Sequence, residues 1–247
     1  MKMAAILNVF LLSLFVSRTV TYNQLVNSNT IAVSSTTFPS YVASRTVDGN
    51  TDQNVTSCSH TGYRSSITEA WLRIDLGTVY SVKSVKFWYR GDRESAYYNT
   101  IRLRGYSLRV SNDTNVPPPE SSCYTDPGIV TLPTIIEEDC ETTARYIWIY
   151  QNKISYYIDT CPILAICEVQ VFGCNVGYYG ENCSKKCDRC SNNTTCGIEN
   201  GECDALGCSN NGYQPPLCQP CNNGTYGHNC QFKCSGNCLR EVITKMT

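Results

Sequence analysis

WLRIDLG, Trp71 to Gly77, sets Leu72, Ile74 and Leu76 on one side of the chain and Arg73 and Asp75 on the other. Alternation with a period of two marks a strand that buries one face. Other stretches behave alike. VKFWYR alternates Val85, Phe87 and Tyr89 against Lys86, Trp88 and Arg90. SLRVS (Ser107 to Ser111) repeats the pattern, and RYIWIY opposes Ile147 and Ile149 to Tyr146, Trp148 and Tyr150. CEVQVFG sets Cys167, Val169 and Val171 against Glu168 and Gln170. No window of comparable length shows helical periodicity. The reading is an all-β domain of half-buried antiparallel strands, a β-sandwich or jelly roll.

Outward from that block, the composition changes sharply. Five cysteines lie between Cys58 and Cys167, and twelve follow from Cys174 onward. Upstream, a Tyr-, Val- and Ile-rich segment is long enough to bury an ordinary core. Downstream, large apolar residues are scarce, and covalent staples must replace the core. The expected organisation is therefore a β-sandwich at 22–173, a disulfide-rich region at 174–238 and a tail at 239–247.

The first residues, MKMAAILNVFLLSLFVSRTV, carry Lys2 and an apolar run from Ala4 to Val16. That run has the length of a signal-peptide core and is too short for a bilayer span. Residues 1–21 are read as a signal peptide cleaved between Ser17 and Tyr22. Export agrees with seventeen cysteines, since disulfides persist in oxidising compartments. It also agrees with six glycosylation sequons, at Asn54, Asn112, Asn182, Asn192, Asn193 and Asn223. The formal net charge of −1 is spread along the chain, which argues against nucleic-acid binding or a basic membrane surface.

Five pieces in order resemble the F-type lectins, the fucolectin-like relatives of discoidin domains. They are QLVNSNTIAVSSTTFPSYVASRTVDGNTDQ, SCSHT, EAWLRIDLGTVYSVKSVKFWYRGD, RLRGYSLRVSN and CEVQVFG. The resemblance covers Tyr22 to about Gly173 and implies a galactose-binding-like sandwich with one shallow sugar pocket. It assigns that pocket to His60, Arg90 and Arg102. A guanidinium fork offers several directional donors to sugar hydroxyls, and an imidazole can accept or donate beside them. The chain departs from the family after Asp92. No adjacent cysteine pair occurs there, position 97 is Tyr, and Arg102 aligns only across an insertion of about five residues. Tyr97 and Tyr98 are candidates for a stacking face in place of the cysteine pair.

The resemblance also implies a structural Ca2+, held by the Arg45 carbonyl with Asp48, Asn50, Ser57 and Glu168. The stretch TVDGNTD is an oxygen-rich turn of the kind a hard cation prefers, although it lacks the spacing of an EF-hand. A plain Asp-Gly turn is the other reading. Implied in the same way are the disulfides Cys58–Cys167 and Cys123–Cys140, which leave Cys161 over. Arg90 to Asp92 spells RGD, read as part of the pocket frame rather than as an integrin ligand.

An enzyme is not expected. His60 and His228 are the only histidines, an exported Cys58 is expected in a disulfide, and no histidine cluster offers a catalytic zinc site. His228 is read as an exposed, inert turn residue.

From Cys174 the pattern CNxGxYGxNCxxKC occurs twice, with cysteines at 174, 183 and 187 against 221, 230 and 234, a period of 47 residues. This resembles laminin-type EGF modules of multiple-EGF scavenger-type receptors. CDRC and CQPC also admit a zinc reading, disfavoured by the compartment. The second repeat breaks off after Cys238, which suggests a truncated receptor ectodomain and leaves Cys234 or Cys238 without a partner. The sequence thus reads as a secreted recognition protein whose partners are glycans on cell or microbial surfaces. Its roles would lie in innate immunity or adhesion, with avidity from repeated sites in an oligomer and protein contacts through the EGF-like modules. The alternative is a scavenger-receptor-like adhesion ectodomain that binds proteins and whose lectin pocket has decayed.

Overall fold

A computed structural model describes residues 21–92, 96–113, 121–191, 195–203, 207–209, 213–221, 224–226 and 230–234, the side chains of Ala96 and Tyr97 excepted. Residues 1–20 of the expected signal peptide, the sequons at Asn192, Asn193 and Asn223, His228, Cys238 and the tail at 239–247 lie outside these residues.

Two of the alternating segments are one strand. β3 (Ala70–Tyr89) is 20 residues long. Its first half pairs with the end of β6 (Ile135–Gln151), Ala70 against Gln151 and Asp75 against Tyr146. Its second half pairs with the start of β6, Tyr80 against Ala144 and Trp88 against Ile135. The register shifts between Asp75 and Tyr80, around Gly77 with its φ of 84°. A side chain resists that φ, so the glycine lets the paired strands bend together. The bend turns one antiparallel sheet into a sandwich of the discoidin type.

β2 (Ile31–Ser34) pairs with the first half of β3. β7 (Ile166–Asn175) pairs with the second half and carries β1 (Asn23–Gln24) on its far edge. Beyond β6 lie β4 (Ser107–Ser111) and β5 (Ser122–Thr125). The alternation read from the sequence faces the core as expected: Ile74, Val85, Phe87, Tyr89, Ile149, Val169 and Val171 are fully buried. RYIWIY departs from it, because Tyr146 through Tyr150 are buried on both faces. Trp71 covers Trp148 edge-on at 5.1 Å, and the Arg73 guanidinium lies 5.5 Å from the Trp148 ring, so the outer face is roofed by neighbouring side chains.

The expectation of no helix is corrected by α1 (Ala96–Leu103), which occupies the inserted stretch after Asp92. Its C-terminal carbonyls need partners. The buried Gln151 side chain supplies them, its Nε2 donating to the carbonyls of Arg102, Leu103 and Arg104 at 3.0, 3.1 and 2.9 Å. Gly105, at φ 77°, ends the helix.

The cysteine-rich region begins inside the sheet, since Cys174 is a buried residue of β7. Its repeat is reproduced in three dimensions. Cys174–Cys183 and Cys221–Cys230 are bridged at matching offsets. The hairpin of β8 (Tyr178–Tyr179) and β9 (Lys185–Lys186) has its counterpart in β12 (Thr225–Tyr226) and β13 (Phe232–Lys233). Between them, β10 (Tyr213–Gln214) pairs with β11 (Gln219–Pro220). Both CxxC motifs are used up in disulfides, Cys187–Cys196 and Cys190–Cys203 for the first, Cys208–Cys218 and Cys221–Cys230 for the second. The zinc reading is thereby removed. Cys234 is also disulfide-bonded, contrary to the expectation that it could lack a partner. Among the described residues the free thiol is Cys161, and it is buried.

Lys83 joins the two regions. Its ammonium lies 3.1 Å from Asp139 and 2.6 Å from Glu141 on β6, and 2.7 Å from Glu199 of the cysteine-rich region. Among the described residues no helix is long and apolar enough to cross a membrane.

Candidate functional site

Residues 59–61 thread between two other segments. On one edge Ser59 N–H donates to Ile166 O and Thr61 N–H to Leu164 O, at 2.8 and 2.9 Å. On the other, His60 N–H donates to Tyr41 O and Phe38 N–H to His60 O, at 3.1 and 2.9 Å. The Cys58–Cys167 disulfide closes one end of this ladder. Extended backbone pinned on both edges fixes where the imidazole points.

The ring's Nδ1 lies 2.6 Å from the Thr61 carbonyl. A carbonyl only accepts, so Nδ1 carries the hydrogen and Nε2 is left as an acceptor. Burial holds the His60 pKa below its usual value, with the charges of Arg90 and Arg102 adding to the effect, while the Thr61 carbonyl opposes it. The imidazole is therefore neutral near pH 7.

Both arginines reach the same cleft. Arg90 follows β3 directly, its N–H donating to Ala165 O at 2.9 Å. Its Nε and Nη2 donate to one oxygen of Asp92, at 3.0 and 2.7 Å. RGD thus closes on itself, as a frame for the guanidinium. Arg102 comes from the last turn of α1 and meets Asp159 in a two-pronged pair, Nε to Oδ2 at 2.7 Å and Nη2 to Oδ1 at 2.8 Å. In each case the Nε side is taken by a carboxylate; Arg102 Nη1 also donates to Asn99 Oδ1 at 3.4 Å, and its second hydrogen, with the Nη1 of Arg90, is the donor face.

His60, Arg90 and Arg102 line one cleft of ≈ 310 Å³ together with Phe38, Tyr41, Val55, Tyr63 and Ile163. The polar groups converge on an apolar wall, the usual make-up of a small-ligand site. Phe38 and Tyr41 pack beside His60, ring centres 5.6 and 6.4 Å away. The wall residues and Asp159 were not singled out from the sequence. No local pattern marks Asp159, 57 residues from its arginine. Tyr98 leans on Tyr156 at 5.2 Å rather than lining the cleft, and the Tyr97 side chain lies outside the described residues.

The candidate cation turn lies on the other side of the disulfide. Asp48 Oδ1 accepts from Asn50 N–H, Asn50 Oδ1 from Asp52 N–H, and Asp52 Oδ2 from the Ser57 hydroxyl, at 2.9, 3.0 and 3.1 Å. Glu168, 1% exposed, accepts from Gly49 N–H at 3.2 Å. Burial, and then the nearby Asp48 charge, push its pKa up to about 7. A buried carboxylate facing a second carboxylate is a position that a divalent cation relieves, and the surrounding oxygens are hard donors, so the residues fit Ca2+. Arg45 sends its side chain to the Cys58 carbonyl at 3.2 Å and over the Tyr41 ring at 5.4 Å, linking the turn to the cleft wall. Among the described residues no three His, Cys, Asp or Glu side chains gather at a metal-sized point. Cys123 and Cys140 are bridged between β5 and β6, away from both sites.

Residues 45–149 match the family described as NedA-like, galactose-binding domain. No curated protein matches the sequence. Among solved structures, the lectin domain of lectinolysin complexed with Lewis B antigen is similar at 25% identity and a TM-score of 0.50, covering 62% of this chain and 99% of that one. The fucolectin from the serum of Morone saxatilis, the striped bass, is 26% identical with a TM-score of 0.49, covering 62% of this chain and 47% of that one. A fucose-binding module of Streptococcus pneumoniae is 21% identical with a TM-score of 0.47, over 62% and 96% of the two chains.

Proposed function

We propose that this chain is a secreted or cell-surface lectin that binds fucose-like glycans in the cleft of His60, Arg90 and Arg102. The observation that carries the reading is the convergence of one neutral imidazole acceptor and two carboxylate-anchored guanidinium edges on an apolar wall. A 6-deoxy sugar presents hydroxyls on one side and a methyl group on the other, which matches that division. His60 Nε2 accepts from a hydroxyl, and the Nη1 edges of Arg90 and Arg102 donate to ring and hydroxyl oxygens. Phe38, Tyr41 and Ile163 cover the methyl group. The lectinolysin domain, solved with a Lewis B antigen, supports a sugar as the ligand class.

The carboxylates prepare the site. Asp92 and Asp159 hold the guanidinium planes before the sugar arrives, so less side-chain freedom is lost on binding. Ca2+ would be held by Asp48, Asn50, Ser57, Glu168 and the Arg45 carbonyl. It would supply charge balance and rigidity to the turn behind Cys58. The cysteine-rich region serves as an EGF-like stalk for the sandwich, consistent with an extracellular setting. Binding is the proposed activity, as the lectinolysin domain solved with a Lewis B antigen supports.

The test is calorimetric titration of the disulfide-intact protein with L-fucose and a fucosylated oligosaccharide. Saturable binding lost in His60→Ala, with the fold retained, supports the reading. Absence of binding in a folded sample favours the protein-binding alternative.

A further inference from the structure

We infer that the cysteine-rich region carries a second binding site, for sulfated polysaccharide. It lies in a cleft of ≈ 410 Å³ lined by Lys185, Lys186, Arg189, Asn200 and Gln219, with Tyr179 as its floor. The volume falls in the range of ligand-binding sites.

Among the described residues these cations make no ion pair. Lys185, Lys186 and Arg189 are exposed. Each instead lies over a tyrosine: Lys185 over Tyr179 at 5.7 Å, Lys186 over Tyr178 at 5.7 Å and Arg189 over Tyr213 at 6.0 Å. These rings steer the side chains without neutralising them. Tyr179 lies flat on Gly201, where a Cβ would come within 2.3 Å of the ring.

The internal repeat supplies an independent argument. The position of Lys185 in the first repeat is Phe232 in the second, and there the residue packs on Tyr226 with ring centres 5.5 Å apart. The same hairpin and the same disulfide offset therefore form without the lysine. The repeat keeps Lys186, as Lys233, but not Lys185, so the hairpin itself does not call for a cation at 185; its gathering with Lys186 and Arg189 round one cleft points to an anionic ligand. Among the described residues Asp188 is the one acid lining it, against three cations. Three cations on neighbouring tyrosine platforms suit a chain of sulfated sugars, whose anionic groups repeat along a stiff backbone, better than a single phosphate.

The experiment uses the whole protein and heparin as the probe. The unmodified protein is expected to bind heparin at about 0.15 M salt and to release it as salt rises, because the contacts are exposed charge pairs. Replacing all three cations (Lys185→Gln, Lys186→Gln, Arg189→Gln) should weaken binding about tenfold, the combined effect of three such contacts. Arg189→Gln alone should give a smaller loss. His60→Ala should bind heparin as the unmodified protein does, which separates this site from the cleft of the sandwich. Equal binding of fully desulfated heparin, equal affinity of the triple variant, or loss of heparin binding in His60→Ala would each overturn the proposal. Polyglutamate competing as well as heparin would overturn it in favour of an acidic peptide.

Discussion

Arg102 and Asp159 meet through two hydrogen bonds of 2.7 and 2.8 Å across 57 residues of sequence. The carboxylate is almost wholly buried, at 3% side-chain exposure, while the arginine is 20% exposed at the cleft. Asp159 is thus a positioning residue. It belongs to the loop that follows β6, and it brings the C-terminal turn of α1 to the cleft of His60 and Arg90.

Asp159→Asn keeps the shape but removes the charge and one strong acceptor. A hydrogen bond to a charged group contributes about 1.5–3 kcal/mol, and a loss of that order is expected in chemical unfolding. Sugar affinity should fall further than in a surface control such as Ile129→Ser, since Ile129 is 78% exposed. Titration calorimetry on both variants reads the two effects separately.

The pH profile follows from His60. Its folded pKa lies below 6.5 because burial disfavours the cation, so the folded state holds the proton less tightly than the unfolded chain. The stability it contributes is fully present above pH 6.5 and is lost as pH falls through the lowered folded value. Sugar affinity depends on the same neutral ring. It should be level above pH 6.5 and decline only below it, and His60→Gln should remove that decline.

Calcium should raise the unfolding temperature. Binding at one hundred times the dissociation constant adds about 2.7 kcal/mol. The shift is expected in the unmodified protein, to vanish with chelator and to be absent in Asp48→Ala. Equal unfolding temperatures with calcium and chelator would show that the turn is held by its own Asx hydrogen bonds alone.

Gly173→Ala tests the sheet. A Cβ there would stand 2.2 Å from the Ser81 carbonyl and 3.0 Å from Val82 Cα, both backbone atoms of β3. Overpacking of this kind costs about 1–3 kcal/mol, measurable as a lower denaturant midpoint with the slope unchanged.

The sandwich was legible in WLRIDLG and CEVQVFG because burial on one face leaves a period-two trace that needs no tertiary context. The join of WLRIDLG to VKFWYR in one strand was not, since Gly77 reads equally as a turn and as a bend in a continuous strand. Helix α1 was missed for a different reason. AYYNTIRL is a short segment with little pattern of its own, and its C-terminal end is capped by Gln151 from β6. His60, Arg90 and Arg102 could be named through resemblance, and they do share a cleft. Their anchors could not, because an ion pair such as Arg102–Asp159 leaves no mark in local sequence.

The most direct measurement is a titration of the disulfide-intact protein with a fucosylated oligosaccharide in calcium, repeated with His60→Ala. Saturable binding is expected of the unmodified protein and none of the variant, with near-ultraviolet circular dichroism unchanged between them. Binding that survives His60→Ala, or a folded unmodified protein that binds no fucosylated glycan, would contradict it.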